Sequence, residues 1–318
     1  MKFSFMLSLF CGVSVFAGEG IKLITMLGEP DCIELKNPQI RVVLCPSSGG
    51  RVLEYSLNGK HALPLPEVKP GKKINPAGRL DIGPELTIPK RPVLWNGDWT
   101  GEISGNRRAR LTSPPCPNTK VQLIRDYELD AKTTRFTCTQ TIKNISDKAV
   151  EYCYWSRTFA IGEGIAYIPL TPPSRFPNSY VMYESGSVIN MNPEDTNIRI
   201  RDNFIEILAA PQKPKLGFDS YAGWMAYHMR NDLIFFKQYD ADSDWVYNEA
   251  AGLTASIWYP DHMNVVELEP IGPRQRITPG GKASFTETWY LKEASFPVDP
   301  DMVHLQTLRI VAKKLFDN

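Results

Sequence analysis

Short runs of alternating apolar and polar residues, broken by turn residues roughly every 8–12 positions, constrain the fold of this chain most strongly. Residues two apart in a strand share a face, so each run predicts a half-buried β-strand. With 26 Pro and 22 Gly among 318 residues, turns are frequent and long helices are disfavoured. The pattern predicts an all-β fold built as an antiparallel sandwich.

Four regions give the clearest element predictions. Residues 32–63 predict an opening β-meander that ends at the hairpin signal Asn58-Gly59. Residues 120–160 predict three successive strands, and residues 222–239 predict a hairpin. Only residues 300–316 have the spacing of apolar residues that predicts a helix.

Residues 64–118 are rich in Pro and predict a long irregular segment. This segment contains Trp95, Trp99 and Glu85. Aromatic rings stack on the C–H faces of sugars, and charged groups hydrogen-bond sugar hydroxyls, so the composition suits sugar binding. A hydrophobic cap over a sheet edge explains the same residues equally well.

Glu267 and Glu269 lie two apart in a predicted strand that ends at Pro270, so both carboxylates share one face. Two carboxylates on one face are costly to bury without partners. They indicate either a solvated strand face or a site that uses carboxylate chemistry. A second predicted strand with Trp289 follows two Gly/Pro turns.

The sequence from Val265 to Leu291 resembles the C-terminal part of galactose mutarotase-like proteins. The matching motifs are Glu-Leu-Glu-Pro, a Gly-Pro turn, a Pro-Gly-Gly turn and Glu-Thr-Trp-Tyr-Leu. The resemblance implies an antiparallel β super-sandwich of the galactose mutarotase-like type with a short C-terminal helix, formed as a single domain over residues 18–318. In aldose 1-epimerases a glutamate on this strand is the general base, and the matching residue here is Glu269.

The chain departs from that family where the family has its general-acid histidine. The corresponding strand here reads Tyr-Trp-Ser-Arg-Thr from Tyr154 to Thr158, without histidine. We therefore consider His228 as the catalytic partner of Glu269, although a lone strand histidine more often has a structural role. The residues expected to bind substrate are Arg51, Glu85, Trp95, Trp99, Arg157, His262 and Glu267.

Two functions are compatible with these residues. The first is an exported carbohydrate-binding protein that acts as an aldose epimerase, or mutarotase, with Glu269 as general base. The second is a non-catalytic carbohydrate-binding or accessory structural domain that has lost the histidine, because fold alone does not carry function. The expected partner in both is a carbohydrate. The net charge of +1 gives no reason to expect nucleic acid, and no motif predicts a metal or other cofactor.

Residues 1–17 predict a cleaved signal peptide and hence a periplasmic or secreted protein. Lys2 precedes an apolar run, and Val15-Phe16-Ala17 offers a cleavage site. An uncleaved anchor is the alternative, although the run is short for a membrane span. No other stretch predicts a membrane span.

The six cysteines leave five once Cys11 is removed with the signal peptide. Cys138 and Cys153 lie on strands predicted to be neighbours, so they could pair in an oxidising compartment. Buried free thiols explain the same residues, since free cysteine is commonly a core residue.

Overall fold

Two large antiparallel sheets form the body of the protein. The computed structural model describes residues 18–65 and 77–317, so the predicted signal peptide lies outside the described residues. Within those ranges the chain forms 23 strands, in sheets of thirteen and ten, and two α-helices.

The thirteen-stranded sheet follows the order β1-β2-β3-β4-β6-β11-β21-β20-β17-β13-β14, with β5 beside β4 and β22 beside β11. Its strands are β1 (Ile21–Met26), β2 (Glu29–Lys36), β3 (Ile40–Cys45), β4 (Arg51–Leu57), β5 (Lys60–His61), β6 (Gly78–Gly83), β11 (Val150–Ile161), β13 (Val181–Tyr183), β14 (Ile189–Asn190), β17 (Lys215–Phe218), β20 (Ala255–Trp258), β21 (Val265–Pro270) and β22 (Gln275–Ile277).

The ten-stranded sheet follows the order β15-β16-β12-β18-β19-β23-β10-β9-β8-β7. Its strands are β7 (Thr100–Gly105), β8 (Arg108–Thr112), β9 (Val121–Leu129), β10 (Phe136–Asn144), β12 (Ile165–Pro169), β15 (Ile198–Arg201), β16 (Phe204–Ile207), β18 (Trp224–Met229), β19 (Leu233–Tyr239) and β23 (Lys282–Glu293). The helices are α1 (Pro92–Asn96) and α2 (Leu305–Phe316).

The main core lies between the two sheets. Tyr55 of β4 meets Phe136 and Trp289 of the other sheet, with each pair of ring centroids 5.7 Å apart. Alternate residues of the facing strands fill this layer, and burial of their apolar surface is the principal favourable term in folding. The expected antiparallel sandwich is confirmed.

A second apolar cluster lies on the outer face of the ten-stranded sheet, under α2. Leu305 and Leu308 of the helix pack against Phe204, Trp224 and Phe236 of the sheet. The helix leaves its other side in solvent, which explains the partial periodicity of its sequence.

Most of the predicted elements are confirmed, including the opening meander, the hairpin at 222–239 and the C-terminal helix. The prediction that residues 64–118 form an irregular segment was wrong, because they contain β6, α1, β7 and β8. The prediction that Cys138 and Cys153 lie on neighbouring strands was also wrong, since β10 and β11 belong to different sheets. Both thiols are free and buried.

Candidate functional site

Glu267 and Glu269 project from the outer face of the thirteen-stranded sheet, and both are fully buried. Leu268, between them, packs into the core between the sheets. The strand therefore alternates as its sequence predicts, and the two carboxylates share a face. β21 is a central strand with β11 on one side and β20 on the other, so neighbouring strands surround both carboxylates.

Glu269 binds an indole and lies beside a lysine. Trp155 Nε1 donates a hydrogen bond of 2.7 Å to Glu269 Oε2, and Lys215 Nζ lies 3.8 Å from the same oxygen. The other carboxylate oxygen, Oε1, has no hydrogen-bond partner within residues 18–65 and 77–317. A buried oxygen without a partner costs free energy, so this carboxylate retains unused hydrogen-bonding capacity.

Glu267 lies near two guanidinium groups. Its Oε1 is 3.4 Å from Arg157 Nε and 3.9 Å from Arg79 Nη2. Neither of its oxygens accepts a hydrogen bond from the part of the chain that the structure describes. The carboxylate is therefore compensated by charge but retains hydrogen-bonding capacity.

Lys215 and Glu85 form an ion pair at the more exposed side of this cluster. Their side chains are 13% and 33% exposed, whereas those of Glu267 and Glu269 are fully buried. Lys215 Nζ also lies 4.7 Å from the centre of the Trp155 ring, and Arg157 Nη2 lies 3.6 Å from Glu85. This pair connects the deep carboxylates to solvent.

Trp95 closes another side of the cluster. Its Nε1 donates a hydrogen bond of 2.8 Å to Asp81 Oδ2, and Arg79 lies over its ring at 4.6 Å. Arg91 binds Asp81 through two hydrogen bonds of 2.8 and 2.7 Å. Burial would raise the pKa of Asp81, but the Arg91 guanidinium outweighs it and holds that pKa at about 2.

Glu249 lies against the backbone of Gly83 and Glu85. Its Oε2 accepts a hydrogen bond of 2.7 Å from Glu85 N, and its Oε1 is buried without a described partner. A Cβ at Gly83 would lie 3.0 Å from Trp155 Cε3 and 3.1 Å from Glu249 Oε2. Glycine at this position therefore lets the indole and the carboxylate approach each other.

Burial sets the proton affinity of these carboxyl groups. It raises the pKa of Glu269, and the neighbouring Glu267 raises it further, while Lys215 opposes the change. Burial also raises the pKa of Glu249. The pKa of Lys215 is raised because Glu269 and Glu85 outweigh its own burial. Two carboxyl groups with raised pKa values next to a charged lysine suit proton transfer near neutral pH.

Five of the residues predicted from the sequence come together here: Glu85, Trp95, Arg157, Glu267 and Glu269. Arg51 lies against the backbone of the same cluster. Its Nη2 donates to Trp95 O at 3.2 Å and to Asn96 Oδ1 at 3.0 Å.

Three predicted residues lie elsewhere. His228 belongs to the ten-stranded sheet, where its Nε2 is 3.0 Å from Ala294 O, so the expected pairing with Glu269 was wrong. Trp99 is buried in the main core under the guanidinium of Arg125, 4.1 Å from its ring centre. His262 is exposed in the loop between β20 and β21.

The sequence analysis missed Arg79, Trp155, Lys215, Tyr183 and Glu249. Trp155 and Arg157 are two apart on β11, so the period of a strand could have placed the indole beside the arginine. Lys215 enters from β17, and Tyr183, whose ring centre lies 5.1 Å from Lys215 Nζ, enters from β13. Both strands reach the site through the order of strands across the sheet. No local signal predicts that order.

No protein-family model and no curated protein matches the sequence. Solved structures do match. A putative aldose 1-epimerase from Escherichia coli K12 aligns with a TM-score of 0.59 at 11% identity, covering 86% of this chain and 100% of that one. A galactose mutarotase-like protein from Clostridium acetobutylicum aligns with a TM-score of 0.59 at 12% identity, covering 86% and 98%.

The fold is galactose mutarotase-like. A third structure of this kind, from Lactobacillus casei, gives a TM-score of 0.55 at 11% identity and covers 82% of this chain and 100% of that one. At these identities the comparison concerns the fold alone. Which reaction this mutarotase-like fold supports depends on the side chains of its own site.

The described ranges contain neither a metal-binding cluster nor a membrane-spanning helix. No cluster of three or more His, Cys, Asp or Glu side chains there is arranged to hold a metal ion. None of the helices in those ranges has the length and apolar character needed to cross a membrane.

Proposed function

We propose that this protein binds a sugar on the outer face of the thirteen-stranded sheet and interconverts its anomers, with Glu269 as the general base. The observation that carries the proposal is the buried Glu269 carboxylate, which has a raised pKa and one oxygen without a partner among the described residues. A base that works near neutral pH needs its pKa raised from the usual carboxyl range. The mutarotase-like fold supports the same reaction class.

The surrounding side chains suit a sugar. Glu85 and Arg157 can hydrogen-bond the hydroxyls of a sugar. The partly exposed Lys215–Glu85 pair lies on the solvent side of Glu269, where a sugar would first meet the cluster.

The reaction needs a general base for the anomeric hydroxyl and a hydrogen-bond donor for the ring oxygen. Glu269 takes the proton of the anomeric hydroxyl, the bond between the anomeric carbon and the ring oxygen breaks, and the donor stabilises the charge that develops on that oxygen. We assign the donor role to Lys215, because its ammonium lies 3.8 Å from Glu269 and is held charged by two carboxylates. Ring closure on the other face of the carbonyl reverses these steps and gives the other anomer.

Export is a further part of the proposal. It rests on the signal-like sequence of residues 1–17 and assigns the protein to the periplasm or the extracellular medium. N-terminal sequencing of exported protein should begin near Gly18. Soluble protein that retains Met1 would contradict this part and leave the sugar site unaffected.

Sugar binding without catalysis is the second candidate function. One observation favours it: none of the four histidines of the sequence lies against Glu269, and family enzymes use a histidine as the acid. On this alternative the same residues recognise a sugar, and no bond is broken.

Polarimetry and NMR of anomer interconversion across a panel of aldoses test the proposal. Glu269→Gln keeps the shape of the side chain and removes the base, so the rate should fall by about 10²–10⁴-fold while sugar binding persists. Glu293→Gln, on an exposed side chain in the other sheet, is the matched control and should leave the rate unchanged. A wild type that binds an aldose but accelerates none supports the second function, and one that binds none refutes both.

A further inference from the structure

Cys32 of β2 and Cys45 of β3 lie opposite each other on adjacent antiparallel strands. Ile33 pairs with Leu44, so the next positions outward are Cys32 and Cys45. Both side chains are fully buried, and both thiols are free. They share a small cluster with Val43, Leu53 and Ala77.

The arrangement is close to that of a disulfide. Opposed residues of antiparallel strands have Cβ atoms about 4.5–5.5 Å apart, and a disulfide needs about 3.5–4.5 Å. A small approach of the two strands is therefore sufficient. Cys138 and Cys153, the other pair considered from the sequence, lie in different sheets.

We propose that Cys32 and Cys45 form an intramolecular disulfide when the chain folds in the presence of a disulfide oxidant. A thiolate of the pair attacks one sulfur of the oxidant, whose S–S bond breaks and releases one thiol. The second cysteine loses its proton and attacks the mixed disulfide, which releases the second thiol. Two electrons pass from the cysteines to the oxidant, and the two protons end on the released thiols.

The surroundings indicate which sulfur attacks first. The Cys32 thiol donates to Glu29 O at 3.5 Å, and Ser47 Oγ lies 3.4 Å from the Cys45 sulfur. The contact between the two cysteines lowers the pKa of Cys45. The same contact raises the pKa of Cys32. Cys45 is therefore the nucleophile toward the oxidant, and Cys32 closes the bond.

The bond would link β2 to β3, and β3 is the neighbour of the strand that carries Arg51. Cys45 is followed by the turn at Pro46–Ser48, and the next strand begins at Arg51, whose guanidinium holds the backbone of Trp95. A link between β2 and β3 therefore stiffens the support of one wall of the site without touching Glu269.

Peptide mapping tests the proposal independently of export and of sugar chemistry. Full-length protein is unfolded, reduced, refolded with oxidised glutathione, alkylated and digested with trypsin. We expect peptides 23–36 and 42–51, which contain Cys32 and Cys45, to be recovered joined. Recovery of both as separate alkylated peptides, or with either cysteine joined to another partner, overturns the proposal.

A matched pair of variants extends the test. Cys138→Ser should retain the joined peptides, and Cys32→Ala should lose them. Reduction should lower the Tm of the refolded wild type by about 5–10 °C and leave that of Cys32→Ala unchanged. Equal shifts in the two proteins would overturn the assignment, and the wild-type map decides the question even if Cys32→Ala does not fold.

Discussion

The two outer faces of the sandwich bury polar groups in different ways. On the ten-stranded sheet, helix α2 covers an apolar surface, and His228 in that layer has its ring nitrogen matched to a carbonyl. On the thirteen-stranded sheet, Glu267 and Glu269 are buried, and each has at least one carboxylate oxygen without a described hydrogen-bond partner. A satisfied polar group is compatible with a structural role. Unsatisfied carboxylates held among cations and indoles are compatible with the proposed ligand site.

Asp81→Asn should give the largest effect, because it shows how much of the charged face is structural. Asp81 is fully buried and bound by Arg91 and Trp95, so its neutralisation should lower the free energy of unfolding by about 3–5 kcal/mol. Asp126→Asn, in an exposed pair with Arg110, is the control and should cost at most about 1 kcal/mol. Urea unfolding measures both, and equal losses would contradict the account.

The stability that Asp81 contributes should depend on pH. The pKa of Asp81 is lowered to about 2 in the folded protein, below the ordinary value near 3.8. Its contribution to stability is therefore present above the unfolded pKa and is lost as the pH falls toward 2. Asp81→Asn should lack this loss.

Lys215→Met should lower the rate of anomer interconversion by about 10²-fold, equivalent to about 2.7 kcal/mol of transition-state stabilisation. Because Lys215 opposes the rise in the pKa of Glu269, its removal should also move the acidic limb of the rate profile to higher pH. Lys213→Met is the control, since its ammonium pairs with Glu184 instead. If neither the rate nor the pH of the acidic limb changed in Lys215→Met, Lys215 would be excluded as the donor.

His228→Ala should give the smallest effect, with no change in rate and a loss of about 1–2 kcal/mol in the free energy of unfolding. Burial lowers the pKa of His228 below 6.5, so its contribution to stability is present above that value and is lost as the pH falls through the folded pKa. Thermal unfolding between pH 5 and pH 8 measures this. A fall in rate without a fall in stability would mean that the two faces are not functionally distinct.

The strand period predicted correctly which side chains share a face. Glu267 and Glu269 point together and Leu268 points away, as the sequence requires. The period did not predict which sheet a strand joins. His228 was therefore wrongly expected beside Glu269, although its strand belongs to the other sheet. Sheet membership depends on pairing between distant segments, which a local pattern does not record.

The Pro-rich segment 64–118 shows the same limit. Its Pro residues indicated irregular chain, yet Gly78–Gly83 forms a strand beside β11 and supplies Arg79 and Asp81 to the site. Prolines at the ends of elements are compatible with strands between them. Lys215 gave no local signal at all, because only the sheet order brings β17 to Glu269.

The order of strands across the thirteen-stranded sheet also determines when the site is completed during synthesis. β11 has β6 on one side and β21 on the other, so its two neighbours lie far apart in the chain and β21 begins only at Val265. A ribosome must therefore release nearly the whole polypeptide before Glu269 can meet Trp155. An N-terminal fragment that ends before β21 lacks Glu267 and Glu269 and therefore cannot form this site.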